Sequence, residues 1–373
     1  MGQGGRACRS GSGVDVMNMA FKPKSLSIRV LDRAEANELA RIEAFVDAAP
    51  LATPFHRPAW LLSVSKACGH DWRYLLAEDG QGNLQGILPL SLIHSALFGR
   101  ALVSSGFAVG GGILANDDQV TQMLADEAWR FAERNSFPTV ELRGGPVPAG
   151  AWQCKQDVYA GFVTPLAEDP ESQLLAIPRK QRAEIRKGLK NNLTVRIGTG
   201  AKDREDHYAV YAESVRNLGT PVFPKDMFDA VLDGFSENAD ILTIAKDGEP
   251  VASVLSLYHH GTVMPYWGGG TWDARGLRAN EIMYYELMNH ARERGCTSFD
   301  FGRSKYGTGA FAFKKNWGFE PQPLAYATRT ADGEDARDVN PMSPKYRMQV
   351  ALWQRLPLPI ANRIGPMIAK GLG

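Results

Sequence analysis

The sequence has little cysteine: four residues in 373, Cys8, Cys68, Cys154 and Cys296, all far apart. No Cys-x-x-Cys pair occurs, so neither a zinc site nor a disulfide framework is indicated, and a reducing compartment is the natural setting. Long apolar runs are also missing, and nothing approaches the length of a membrane-spanning helix. Nor is there an excess of one charge. Lys plus Arg number 42 against 41 Asp plus Glu, which leaves no global nucleic-acid footprint. What is present is 44% hydrophobic residues, enough for one large domain or two of ordinary size. Residues 1–25 are rich in Gly and Ser and lack an apolar segment. They read as a disordered leader and not a signal peptide, with Met17 or Met19 as an alternative start.

The remainder repeats one plan. A strand at 72–76, a turn at 78–83 holding Asp79-Gly80, and a strand at 84–92 lead to a bend at Gly110-Gly111-Gly112. A helix follows over 118–135, with Val120, Met123, Leu124, Ala128 and Phe131 at helical spacing, and then a strand at 139–143. The second half has strands at 241–245 and 251–258 joined by Asp247-Gly248, then a bend at Gly268-Gly269-Gly270. Asn280 is expected to cap a helix running to 294, before a buried strand at 298–301. Roughly 160 residues separate both the glycine triplets and the post-helix strands, the signature of a duplicated unit. Between the halves lie a basic helix at 178–190, a strand at 193–197, and two amphipathic helices carrying Tyr208, Tyr211, Val215 and Leu218, then Phe228, Val231, Leu232 and Phe235.

That order in the second unit resembles the GNAT acyltransferase fold, in which two central strands splay apart to hold an acyl donor. Residues 310–320, AFAFKKNWGFE, are similar to the family's penultimate helix and its closing Gly-Phe. The family's pyrophosphate turn corresponds to Arg275-Gly276-Leu277-Arg278-Ala279-Asn280, with Arg278 and Asn280 where glycines are usual. Its general-acid tyrosine would fall at Lys314. Both departures, the tandem halves and the basic helix between them resemble the FemAB-type aminoacyl transferases, which carry amino acids from aminoacyl-tRNA to peptidoglycan precursors. LGTPVFP at 218–224, PYWGGGTWDARGLRAN at 265–280 and FDFGRSKYGTGAFAFKKNWGFE at 299–320 are similar to the branch associated with exosortase (PEP-CTERM) systems. The resemblance spans residues 26–330. It implies an α/β fold of mixed (α+β) sheets in two tandem GNAT-like units, 26–167 and 168–335, with an extension at 336–373.

The same resemblance names candidate residues. Lys314 would stabilise the oxyanion formed when an amine attacks an ester or acyl carbonyl; the plain alternative is a solvated lysine beside Lys315. Asp300 would be a general base, or a structural carboxylate, as Glu141 at the matching place in the first half implies. Arg303, Lys305 and Tyr306 leave a strand at its C-terminal end, where they would hold a phosphate or carboxylate or simply be solvated. Tyr266 and Trp267 would stack on an acceptor or pack the core. Arg182 and Arg186, with Arg179 and Lys190, form a basic face for phosphates of a nucleotide-linked acceptor or RNA, or a solvated face. Leu175, Ile185 and Leu189 are expected opposite. Arg275, Arg278 and Asn280 would contact the donor. His56, in the segment Phe55–Trp60, reads as structural.

The expected activity is acyl or aminoacyl transfer to an amine of a cell-envelope precursor, peptidoglycan or exopolysaccharide related. The donor would be aminoacyl-tRNA or acyl-CoA, no cofactor would be resident and no metal is implied. An acyl-CoA-dependent N-acyltransferase and a non-catalytic binding module in exosortase or exopolysaccharide machinery are the alternatives. Partners would be a small-molecule, lipid-linked or nucleotide-linked precursor, and tRNA. The protein would be cytoplasmic or peripheral at the inner face of the membrane. Residues 341–373 contain five Lys or Arg, no acidic residue and interspersed apolar side chains. That composition suits an anionic membrane surface, or packing back over one of the halves.

Overall fold

The computed structural model describes residues 25–334 and 344–373. The expected leader up to residue 24, with Cys8, Met17 and Met19, and the stretch 335–343 lie outside the described residues.

Two eight-stranded mixed sheets carry the fold. The first runs Ser27–Leu31, Asp71–Glu78, Leu84–Ser95, Gly99–Ser104, Thr139–Arg143, Tyr326–Thr330, Gln153–Lys155, with Leu114–Ala115 paired off Leu84–Ser95. The second runs Ser304–Lys305, Tyr159–Pro165, Ser298–Asp300, Thr262–Gly270, Glu249–His259, Ala239–Lys246, Leu193–Gly198, with Pro321–Pro323 paired off Tyr159–Pro165. Each sheet contains one parallel joint, Gly99–Ser104 on Thr139–Arg143 and Thr262–Gly270 on Ser298–Asp300. The parallel strands are connected in each case by a helix, Asp118–Arg134 or Ala279–Glu293, as a parallel pair requires. The duplication expected from the sequence is therefore visible in the ladders.

The two units are not two separate stretches of chain. Tyr159–Pro165 lies before the expected boundary at 167/168, yet it pairs with Ser298–Asp300 in the second sheet. Tyr326–Thr330 lies beyond the second unit's last helix, yet it pairs with Thr139–Arg143 in the first. Each unit thus donates a strand to the same place in the other, beside the strand that follows the central helix. Periodicity records which face of a strand is buried and not which sheet receives it, so the exchange leaves no local mark.

Local chemistry accounts for most elements. Asp117 caps Asp118–Arg134 by accepting from the Val120 N–H at 2.8 Å. Asp247 and Gly248 both take positive φ, 52° and 91°, the two-residue turn that matches strand twist. Helix Gly309–Asn316 ends with Gly318 left-handed at φ 88°, and Trp317 and Phe319 on either side enter the core.

Three local expectations are corrected. Gly268-Gly269-Gly270 is no bend but the end of strand Thr262–Gly270. These positions are glycine because a side chain has no room: a Cβ would lie 2.9 Å from Val254, 2.2 Å from Ser214 and 2.6 Å from Ala274 respectively. Asn280 does not cap its helix. Arg278 does, in the left-handed conformation at φ 59°, and Asn280 falls inside the first turn. On helix Arg179–Gly188, Ile185 is buried, whereas Leu175 and Leu189 are exposed.

Residues 344–373 pack back on the body. Gly365 lies against Val222, Gly219 against Val350, and Gln354 Nε2 donates to the Asn217 carbonyl at 3.2 Å. Among the described residues no helix is long and apolar enough to cross a membrane.

Candidate active site

Strands Thr262–Gly270 and Ser298–Asp300 share a ladder only at Thr262↔Ser298 and Val263↔Phe299. Beyond Val263 they part, while Thr262–Gly270 stays paired on its other side to Glu249–His259 as far as Gly270↔Ala252. A cavity of about 600 Å³ opens there. Its walls are residues 265–272, the start and inner face of helix Gly309–Asn316, the turn 301–303, the C-terminal end of helix Ala201–Leu218, and Phe107 and Val109 of the first unit.

Six of the twelve sequence candidates line this cavity: Lys314, Arg303, Tyr266, Trp267, Arg275 and Asn280. The Lys314 ammonium donates to the carbonyls of Gly302 at 3.2 Å and Arg303 at 2.9 Å, and it lies over the Phe162 and Phe301 rings. Burial pushes its pKa down to about 8, with Asp300 opposing the shift and Arg303 adding to it. Arg303 lies over the Tyr159 ring at 4.7 Å and the Tyr326 ring at 5.5 Å, and donates to Tyr326 Oη at 2.9 Å. Tyr326 and Tyr266 in turn donate to the carbonyls of Val109 and Phe107, which ties the cavity to the first unit. Trp267 is buried against Trp60 and Phe228, so its packing role is plain. Exposed Arg275 lies over the Trp272 ring at 5.3 Å. Asn280 Oδ1 is buried and has no hydrogen-bond partner among the described residues.

The other six lie elsewhere. Asp300 accepts from the Gly302 N–H at 2.7 Å and so closes the 300–302 turn behind the wall. Burial raises its pKa, against that hydrogen bond and the Lys314 charge. Lys305 pairs across to Tyr159 in the second sheet, and exposed Tyr306 packs on Phe311. Arg278 forms an ion pair with Glu184 at 2.5 Å, which turns it from the cavity toward helix Arg179–Gly188. Arg182 and Arg186 line a second, smaller depression with Arg179, Lys187 and Lys190. His56 is structural: its ring meets Thr53 and the Gly112 carbonyl inside the first unit, and burial lowers its pKa to about 4.

Sequence reasoning missed Ser214, Asn217, Leu218, Trp272, Tyr284 and Phe313 as liners. Leu218 was expected on an apolar helix face but is 66% exposed at the cavity rim. Leu218, Trp272 and Phe313 carried a signal, since each falls inside a segment already singled out. Among the described residues no carboxylate and no imidazole lines the cavity. Among the described residues no group of three His, Cys, Asp or Glu is arranged to hold a metal ion.

Residues 179–315 match the family model for an acetyltransferase (GNAT) domain. No curated protein matches the chain significantly. The crystal structure of FemX is similar at TM-score 0.64 and 14% identity, over 82% of this chain and 98% of that one. The C-terminal domain of a putative lysylphosphatidylglycerol synthetase from Agrobacterium fabrum gives 0.53 and 14%, over 80% and 93%. A tandem GNAT protein from the clavulanic acid biosynthesis pathway gives 0.52 and 15%, over 83% and 100%. These likenesses are of fold, and the fold is a tandem of GNAT-like units.

Proposed function

We propose that the protein transfers an acyl or aminoacyl group to an amine, in the FemAB manner, with a cell-envelope precursor as acceptor. The observation that carries this reading is the cavity between the parted strands, with Lys314 in its wall. An amine entering it attacks the donor carbonyl, and negative charge gathers on the carbonyl oxygen only as the tetrahedral centre forms. A fixed ammonium, held by two backbone carbonyls, favours that state over the ground state. At neutral pH a pKa of about 8 leaves most of Lys314 charged. With no carboxylate or imidazole in the wall, the amine must react in its neutral form. Its proton then leaves with the departing oxygen or sulfur of the donor, or to water. Asp300 acts through the turn it closes and through its charge beside Lys314, as a positioning residue.

For the donor we favour aminoacyl-tRNA. The basic depression of Arg179, Arg182, Arg186, Lys187 and Lys190 offers the phosphate contacts that RNA would need. The similarity to FemX, the exosortase-like segments and the exposed apolar side chains of the C-terminal helices support an envelope acceptor met at the inner membrane surface. A second reading, acyl-CoA as donor, is favoured by the match to an acetyltransferase domain and by Arg275 and Asn280 at the cavity. Against it, Arg278 places a side chain in the turn that would cradle a pyrophosphate. Thermal shift with acetyl-CoA, longer acyl-CoAs and free CoA separates the two, because a specific ligand raises the melting midpoint by mass action. No shift favours aminoacyl-tRNA; a shift abolished by Arg275→Ala favours CoA.

A further inference from the structure

Among the described residues Arg303 has no counterion. Its guanidinium carries five N–H donors, of which one is used on a described residue, Tyr326 Oη. Among the described residues no carboxylate lies within ion-pair distance of it, and the rings of Tyr159 and Tyr326 lie against its faces. Those two tyrosines come from the neighbourhood of the exchanged strands: Tyr159–Pro165 reaches the second sheet from the first unit, and Tyr326–Thr330 reaches the first sheet from the second. The strand exchange therefore builds a holder in which two tyrosine rings lie against the guanidinium of a residue that lines the cavity. Taking a charge from water into such a place is unfavourable unless an anion meets it.

We infer that Arg303 seats a carboxylate of the acceptor, so that the acceptor is an amino-acid-like molecule bearing both the nucleophilic amine and a carboxylate. This rests on the transfer reading above and names its substrate class. The remaining guanidinium donors suit a planar, bidentate carboxylate. The local charge suits a monoanion. Of the other two cations lining the cavity, Lys314 already faces Asp300 and two carbonyls, and Arg275 is exposed to solvent over the Trp272 ring, which leaves Arg303 as the buried charge to be neutralised. A phosphate monoester carries nearly two negative charges at neutral pH and would be under-compensated here. The orphan Asn280 Oδ1 in the same wall offers an acceptor for an N–H or O–H of the same molecule.

Saturation-transfer NMR on the full chain, without any donor, tests this. The probes are glycine, β-alanine and γ-aminobutyrate, glycinamide, in which a neutral amide replaces the carboxylate, and inorganic phosphate. At about 10 mM probe, a range that reveals millimolar binding, at least one amino acid should bind saturably and glycinamide should not. Arg303→Ala should weaken that binding by about tenfold or more, and Arg303→Lys should keep part of it. Equal binding of glycine and glycinamide, tighter binding of phosphate, or no amino-acid binding at all would overturn the inference. The comparison of glycine with glycinamide stands on the wild-type protein alone, should Arg303→Ala fail to fold. Amino-acid binding in a protein that transfers nothing would overturn the transfer reading only. Transfer to amines that lack a carboxylate, with no probe bound, would overturn this inference only.

Discussion

The Lys314 ammonium donates to the backbone carbonyl of Arg303 at 2.9 Å, so these two of the three cations in the cavity wall are joined through the chain itself. One hydrogen bond thereby fixes both the helix Gly309–Asn316 and the strand exit that carries the guanidinium. Moving either side chain moves the other, and their effects on activity should be non-additive.

Lys314→Met keeps the bulk of the stem and removes the charge. The transfer rate should fall by about 10²–10³, the usual effect of deleting an oxyanion donor. Single-turnover kinetics with saturating donor checks this, and a loss confined to KM would speak against a transition-state role.

The pH profile should be bell-shaped. On the acid side the rate rises as the acceptor amine loses its proton. On the alkaline side it falls as Lys314, whose pKa burial lowers to about 8, gives up its charge. In Lys314→Arg the alkaline limb should move upward by several units, since a guanidinium stays protonated throughout.

Gly269 holds helix Ala201–Leu218 close to the cavity floor. In Gly269→Ala the new Cβ would lie 2.2 Å from Ser214 Oγ and 2.5 Å from its Cβ. Denaturant unfolding should show a loss of about 1–3 kcal/mol, the usual cost of overpacking. Ser214→Gly in the same chain should recover part of it, less about 1 kcal/mol for glycine in a helix.

The double variant Arg182→Ala/Arg186→Ala should bind tRNA more weakly and with a shallower dependence on salt, because fewer phosphate contacts release fewer counterions. Melting temperature should change little, as Arg186 is exposed and Arg182 makes one hydrogen bond, to the Leu175 carbonyl at 3.1 Å. Filter binding across a salt series is the measurement.

Met348, Leu352 and Met367 are 80%, 66% and 76% exposed on a C-terminal segment without acidic residues. The protein should float with anionic vesicles and stay behind with neutral ones. Met367→Asp should weaken flotation and leave the melting temperature unchanged.

Much of this was legible in the sequence because it was local. Hairpin turns, the helix 118–135 and the glycine stop after the AFAFKKNW helix each depend on residues a few positions apart. The cavity was half legible: Lys314, Arg303, Arg275 and Asn280 fall in segments that a family motif marks. What stayed hidden depends on distant partners. Nothing near Tyr159 or Tyr326 shows that each strand crosses to the other sheet. Three adjacent glycines resemble a bend until Val254, Ser214 and Ala274 are seen crowding them. Arg278, left-handed in the cap place expected of Asn280, has its side chain paired with Glu184 on another helix, a partner distant in sequence.

The central claim is amine acylation with Lys314 in the cavity wall. Its most direct test is single-turnover transfer of label from charged aminoacyl-tRNA, and in parallel from acetyl-CoA, to an amino-acid acceptor, comparing wild type with Lys314→Met. Wild type should form labelled amide with at least one donor, and the folded variant should form it about 100-fold more slowly. Equal rates from the two proteins, or no transfer by wild type from either donor class, would contradict it.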